Sequence, residues 1–344
     1  MICFEPSGER AAQFRRAMDA AVIDSIHRVL AGRLPADSQR SSDGLDIHGP
    51  LQALDYGAYF DLAIDRLGSV VDADAVSDAT QYLTERIRTL QGASASLSQP
   101  AAGKRKPRVT TLSNDHYAPT EIDRLMRWWD AEADDGLYLA GLSAEELAEA
   151  RGNVAHCFEL LQQCAPELCA ETLEVLGEIV FAKSNGEQRS NLAGVTSFAL
   201  WGAALINSEL EGWPLQFQTI VHEAAHSLLF AVARNEPLVL NDIEERIFSP
   251  LRNEERPLDG VFHAAFVSAR ECLALDRLLS WHEEEGRLSA EDAETIETLL
   301  KASAIAFWQC AQALRAHARL SALGDSILTD CETYMTQNFA VQVA

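Results

Sequence analysis

His222, Glu223 and His226 stand in the order H-E-x-x-H within "FQTIVHEAAHSLLFAV", residues 217 to 232. On a helix, side chains four residues apart share a face with Cβ atoms about 6 Å apart, which lets two imidazoles hold one metal ion. Glu223 points off that axis and stays close by. In one chemistry it is the general base for a metal-bound water; in another it orients a ligand. Ile220, Val221, Leu228, Leu229 and Phe230 bury the helix on neighbouring faces, so the histidines are expected to open into a walled cavity.

A catalytic first-row metal usually takes three protein ligands and keeps positions open for water or substrate. The metzincin continuation H-E-x-x-H-x-x-G-x-x-H is absent, since the chain continues "HEAAHSLLFAVAR". A thermolysin-like glutamate about twenty residues on would fall in "LNDIEER", at Glu244 or Glu245. The better third ligand is His263 in "RPLDGVFHAAFVSARECLALDRLL". That segment reads as a helix from near Asp259, with Phe262, Phe266, Ala269 and Leu273 as its apolar stripe. Arg270 lies seven residues beyond His263, on the same face. A buried histidine and arginine need partners, and a metal and an anion would supply both. A backbone carbonyl and one of the many carboxylates would serve as well.

Between the two helices, "SPLRNEERPLDG" carries Arg252 and Arg256. A guanidinium is a planar fork suited to a carboxylate, so arginines near a metal site in so acidic a chain suggest an anionic ligand beside the ion. Pairing with Glu254, Glu255 or Asp259 on the surface is the plainer alternative.

These residues need a scaffold, and the pattern supplies an α+β one that is predominantly α-helical. Glu9 to Leu34 and "ADAVSDATQYLTERIRTL" read as amphipathic helices. "GASASLSQPAAGKRKPR", residues 92–108, reads as an exposed linker. Helices resume at Thr120 and again at Ser143, which forms a capping box with Glu146. "EIVFAKS" and "GVTSFALWGAALIN" are β-like runs, a small sheet leading into the H-E-x-x-H helix, and helix returns from about residue 258. The expected organisation is an N-terminal helical region (1–91), the linker, and a mainly helical catalytic domain (109–344).

The balance of 28 basic against 52 acidic residues, a net charge of −24, repels nucleic acid and anionic membranes and favours a neutral or basic peptide as partner. The first twenty residues lack the pattern of a secretory signal, and no run is apolar enough to span a membrane. Seven scattered cysteines without C-x-x-C spacing fit reduced thiols of a cytoplasmic protein, each a small buried hydrophobe. A homodimer is one expected form, and the oligomeric state stays open.

The run "TIVHEAAHSLLF", followed by "SPLRNEERPLDGVFHAAFVSAR", resembles the H-E-x-x-H peptide-modification proteins encoded beside precursors of ribosomally made, post-translationally modified peptides. The resemblance covers roughly residues 176–280. It implies that His222, His226 and His263 are metal-contacting positions and that Arg252 and Arg256 belong to an R-x-x-x-R-P-L segment. It further implies an iron(II) and 2-oxoglutarate dependent hydroxylase acting on a side-chain carbon of the precursor peptide. The distal carboxylate of 2-oxoglutarate would then meet Arg256, Arg252 or Arg270, and Glu223 would orient a ligand or water. The ligand set departs from the usual two histidines and a carboxylate of such iron sites. The competing reading is a zinc peptidase with Glu223 as general base. A non-catalytic peptide-binding protein with a structural metal is weaker, because no cysteine lies near the helix to help close a four-ligand site.

Overall fold

The computed structural model describes residues 4–30, 50–68, 72–92, 105–131, 137–186, 192–210, 212–249 and 254–339. It is predominantly helical with a small mixed sheet, an α+β chain as the pattern predicts. Two compact units divide it. One comprises Met1–Ala11, Arg151–Thr172 and Leu210–Ala344; the other comprises Ala12–Ala150 and Leu173–Glu209.

The second unit holds the sheet. Its strands are β1 (Arg108–Thr111), β2 (Leu139–Ala140), β3 (Glu178–Ser184), β4 (Gly194–Thr196) and β5 (Ala203–Asn207), with main order β1-β3-β5-β4. β3 runs parallel to both β1 and β5, while β4 is antiparallel to β5 and β2 adds to the last two residues of β3. Residues 178–182 and 203–207 are buried throughout, the continuous apolar run expected of parallel strands covered on both faces. The sequence pattern locates β3, β4 and β5 but not β1, whose "RVTT" is too short and polar to signal a strand alone.

The helices α1 (Gly8–Leu30), α2 (Ala53–Arg66), α3 (Ala73–Gly92) and α4 (Pro119–Asp130) lie wholly or mostly in this unit. Ala53 and Leu54 of α2 share one core with Val180 and Ala182 of β3 and Leu205 of β5. In this division the N-terminal helices cluster with the sheet, and the sheet and the H-E-x-x-H helix fall in different units. Of the expected linker, residues 93–104 lie outside the described residues. The expected first helix ends at Leu30, and residues 31–49 are likewise outside. α5 (Ala144–Cys164) opens with the predicted capping box, Ser143 N–H donating to Glu146 Oε2 at 2.7 Å and Glu146 N–H to Ser143 Oγ at 3.2 Å. After α6 (Pro166–Val175) the chain enters β3.

The first unit holds α7 (Trp213–Ala233), the antiparallel hairpin β6 (Arg246–Ser249) and β7 (Glu254–Pro257), and α8 (Leu258–Glu285), α9 (Ala290–His317) and α10 (Ala322–Asn338). Phe262, Phe266, Ala269 and Leu273 of α8 are all buried, as their spacing predicts. α8 ends at Gly286, whose left-handed φ of 67° lets its N–H reach His282 O at 2.7 Å and turns the chain towards α9. Ser289 then caps α9 by accepting from Asp292 N–H at 3.0 Å. Cys157, Cys164, Cys169, Cys272, Cys310 and Cys331 are free thiols, all buried except the half-buried Cys164, while Cys3 lies outside the described residues. Among the described residues, no helix is long and apolar enough to cross a membrane.

Candidate metal centre

Gln218, His222 and His226 follow one another at four-residue steps along α7, so they occupy one face of it. The apolar residues around them fix that face: Ile220, Val221, Leu228 and Leu229 are buried on the other sides. The two histidines converge, with His222 Nε2 and His226 Nε2 3.1 Å apart and ring centroids at 4.8 Å. Two imidazole nitrogens bound to one ion at about 2.1 Å lie about 3.0 Å apart in neighbouring octahedral positions and about 3.4 Å apart in tetrahedral ones. The observed spacing falls within that range, and it equally serves a hydrogen bond between the rings.

α8 packs on α7 and brings two residues to this face. Glu271 Oε1 lies 2.6 Å from His222 Nδ1, and His263 Nδ1 lies 3.0 Å from His226 Nδ1. The rings of His226 and His263 are stacked at 5.3 Å with 21° between their planes. His263 thus contacts the pair on the Nδ1 side of His226, away from the converging Nε2 atoms. Among the described residues, no group of three or more His, Cys, Asp or Glu side chains is arranged to hold a metal ion. The nitrogens that converge are His222 Nε2 and His226 Nε2, and His263 meets the pair at Nδ1 of His226.

Burial is the largest influence on His263 and holds its pKa below the ordinary histidine value, with the charge of His222 acting the same way. Asp259, whose Oδ2 lies 4.0 Å from His263 Nε2, opposes this only in part. Glu223 is almost wholly buried, 2% exposed, on the same helix. Glu244 and Glu245, the alternative third ligands, are exposed in the loop before β6, where their backbone N–H groups bond Asp242.

The arginines separate. Arg270 is buried, its guanidinium donating to the Phe4 carbonyl at 2.6 Å, paired with Glu171 and lying over the Phe4 ring. Where an anionic ligand was expected, the structure supplies a carboxylate of the chain itself. The reason is local: Glu171 also accepts from Ser7 N–H, so Arg270 completes a buried polar junction between α6, α8 and the first residues. Arg256 sits on β7, half-buried, with Nε 2.5 Å from Glu254 Oε1. Arg252 lies outside the described residues.

Two residues of the cluster escape sequence reasoning. Glu271 and Ser303 are buried, and Ser303 Oγ donates to Glu271 Oε2 at 2.6 Å while accepting from Gln218 Nε2 at 3.0 Å. The available signal was a carboxylate eight residues after His263, on the same face of a strongly apolar helix. No protein-family model matches the chain, and no curated protein matches it either.

Proposed function

We propose that this chain is a metal-dependent enzyme that hydroxylates a side-chain carbon of a ribosomally made precursor peptide, using iron(II) and 2-oxoglutarate. The observation that carries the metal is the convergence of His222 Nε2 and His226 Nε2 at 3.1 Å on one helix face. Iron(II), 2-oxoglutarate and dioxygen together would supply an oxidant able to hydroxylate an aliphatic carbon, one oxygen atom going to that carbon and the other to succinate, with carbon dioxide released.

Within this reading His222 and His226 hold the ion, and Glu223, buried beside them, orients a ligand or water. Arg256 is the cation for the distal carboxylate of 2-oxoglutarate. Glu254, one of the groups it pairs with, lies two residues away on the same strand and is exposed, and an exposed pair of this kind is weak. Arg270 drops out of this role because Glu171 engages it. For the peptide, the β6–β7 hairpin is a suitable acceptor: each strand pairs only with the other among the described residues, and Phe248 and the preceding Ile243 are strongly exposed. Extended peptides bind such edges by strand addition, with apolar side chains giving specificity.

The second reading, a zinc peptidase acting on the same class of peptide, is favoured by the place of Glu223, directly after His222 on the metal-facing helix, where a general base belongs. Anaerobic loading with iron(II), followed by oxygen, 2-oxoglutarate and the peptide encoded beside this gene, separates the two. A product heavier by one oxygen atom, formed with succinate, is expected, and His222→Ala or His226→Ala should abolish it. Two shorter peptides formed without oxygen would establish the peptidase instead.

A further inference from the structure

The partners of the imidazoles determine which nitrogen of each ring is presented. A carboxylate only accepts, so Glu271 Oε1 at 2.6 Å requires the proton of His222 on Nδ1. The other oxygen of Glu271 is occupied by the Ser303 hydroxyl at 2.6 Å, and Gln218 on α7 donates to that hydroxyl at 3.0 Å. Glu271 is thereby anchored from α7 and α9 and cannot swing without breaking bonds in a buried place. In the neutral ring of His222 the lone pair then falls on Nε2, the nitrogen facing His226. His226 turns its own Nε2 to that point and its Nδ1 to His263 Nδ1 at 3.0 Å. Both rings of the pair are held through Nδ1, each by a residue of α8. The order of the pairings, 222 with 271 and 226 with 263, is that of two helices running in opposite directions.

We propose that Glu271 and His263 are the positioning residues of the histidine pair, Glu271 setting His222 and His263 setting His226, so that both Nε2 atoms are offered to one ion and His263 is not itself a ligand. The two nitrogens of an imidazole point away from each other across the ring. A residue seated on Nδ1 of His226 therefore acts from behind the donor. Histidine ligands elsewhere are commonly oriented in this way, and loss of the outer partner weakens metal binding about 10–100-fold without removing it. This inference rests on the metal-dependent reading above for its meaning, but not for its measurement.

The test titrates the full-length, metal-free protein with cobalt(II) alone, reading stoichiometry, affinity against a chromophoric chelator and the visible spectrum. His222→Ala and His226→Ala are expected to lose stoichiometric binding. His263→Ala and Glu271→Ala are expected to keep one ion per chain with affinity about 10–100-fold weaker. His263→Gln and Glu271→Gln should recover part of that loss, and the cobalt spectrum of His263→Ala should keep its band positions and intensity. Loss of binding in His263→Ala as complete as in His226→Ala, with native melting behaviour, would make His263 a ligand and overturn the proposal. If the unaltered protein takes up no cobalt, zinc or iron, the proposed function fails and the positioning is decided by nitrogen-15 spectra of the metal-free rings. His222 protonated on Nδ1, with that preference lost in Glu271→Gln or Glu271→Ala, supports it; a proton held on Nε2 refutes it.

Discussion

Arg270 shows how a single side chain changes its meaning once its neighbours are known. Its guanidinium, paired with Glu171 and capped by the Phe4 carbonyl, is a structural group. Arg270→Ala leaves the Glu171 carboxylate with its main counter-charge removed in a buried place, and is expected to cost about 3–5 kcal/mol in urea unfolding. Arg270→Met combined with Glu171→Leu should recover most of that loss, because the unpaired charge goes too. On the proposed reading, neither variant should alter 2-oxoglutarate affinity where it remains folded. Asp19 carries a pH signature. Burial pushes its carboxyl up to about 6, although the Tyr56 hydroxyl donates to it at 2.7 Å and Arg15 lies 3.7 Å away. Between about pH 4 and pH 6 the folded state binds this proton more tightly than the unfolded chain does. The stability it contributes is therefore full near pH 4 and lost as pH rises through 6, by up to about 3 kcal/mol. Asp19→Asn should be the more stable protein at pH 7.5 by about 1–3 kcal/mol, with the gap closing at pH 4.5. A gap that stays constant across that range would mean that another group titrates.

At the scale of elements, α7 and α8 make the site by packing antiparallel, and β6–β7 leads straight into α8. The hairpin's Phe248 lies opposite Glu255 and is 59% exposed, which makes it the apolar contact to test for the proposed peptide. Phe248→Asp should raise KM for the peptide about tenfold, a loss of about 1.4 kcal/mol, with cobalt affinity and melting temperature unchanged. Equal KM for the two proteins would remove the hairpin from peptide recognition. The two strands of this hairpin are short and rich in charge. Strand pairing is a relation between segments, and "RIFS" and "EERP" carry little of it individually.

Over the whole molecule, the net charge of −24 is a field that opposes compaction and attracts cations. Raising sodium chloride from about 20 mM to about 200 mM should raise the melting temperature by screening that repulsion. The same salt should slow capture of a basic peptide, and a neutral peptide should show no such dependence. The sequence alone determined the helical class, the capping box at Ser143, the apolar stripe of α8 and the two histidines on one face of α7. All of these follow from local periodicity or from spacing within one helix. It also singled out His263, as the third metal ligand. Only the tertiary structure decided which ring nitrogen His263 meets, that Glu271 and Ser303 hold His222, that Arg270 belongs to Glu171, and that the N-terminal helices cluster with the sheet. Each of these depends on the packing of segments far apart in sequence, and no periodicity within a single helix specifies which buried carboxylate a neighbouring helix will bring.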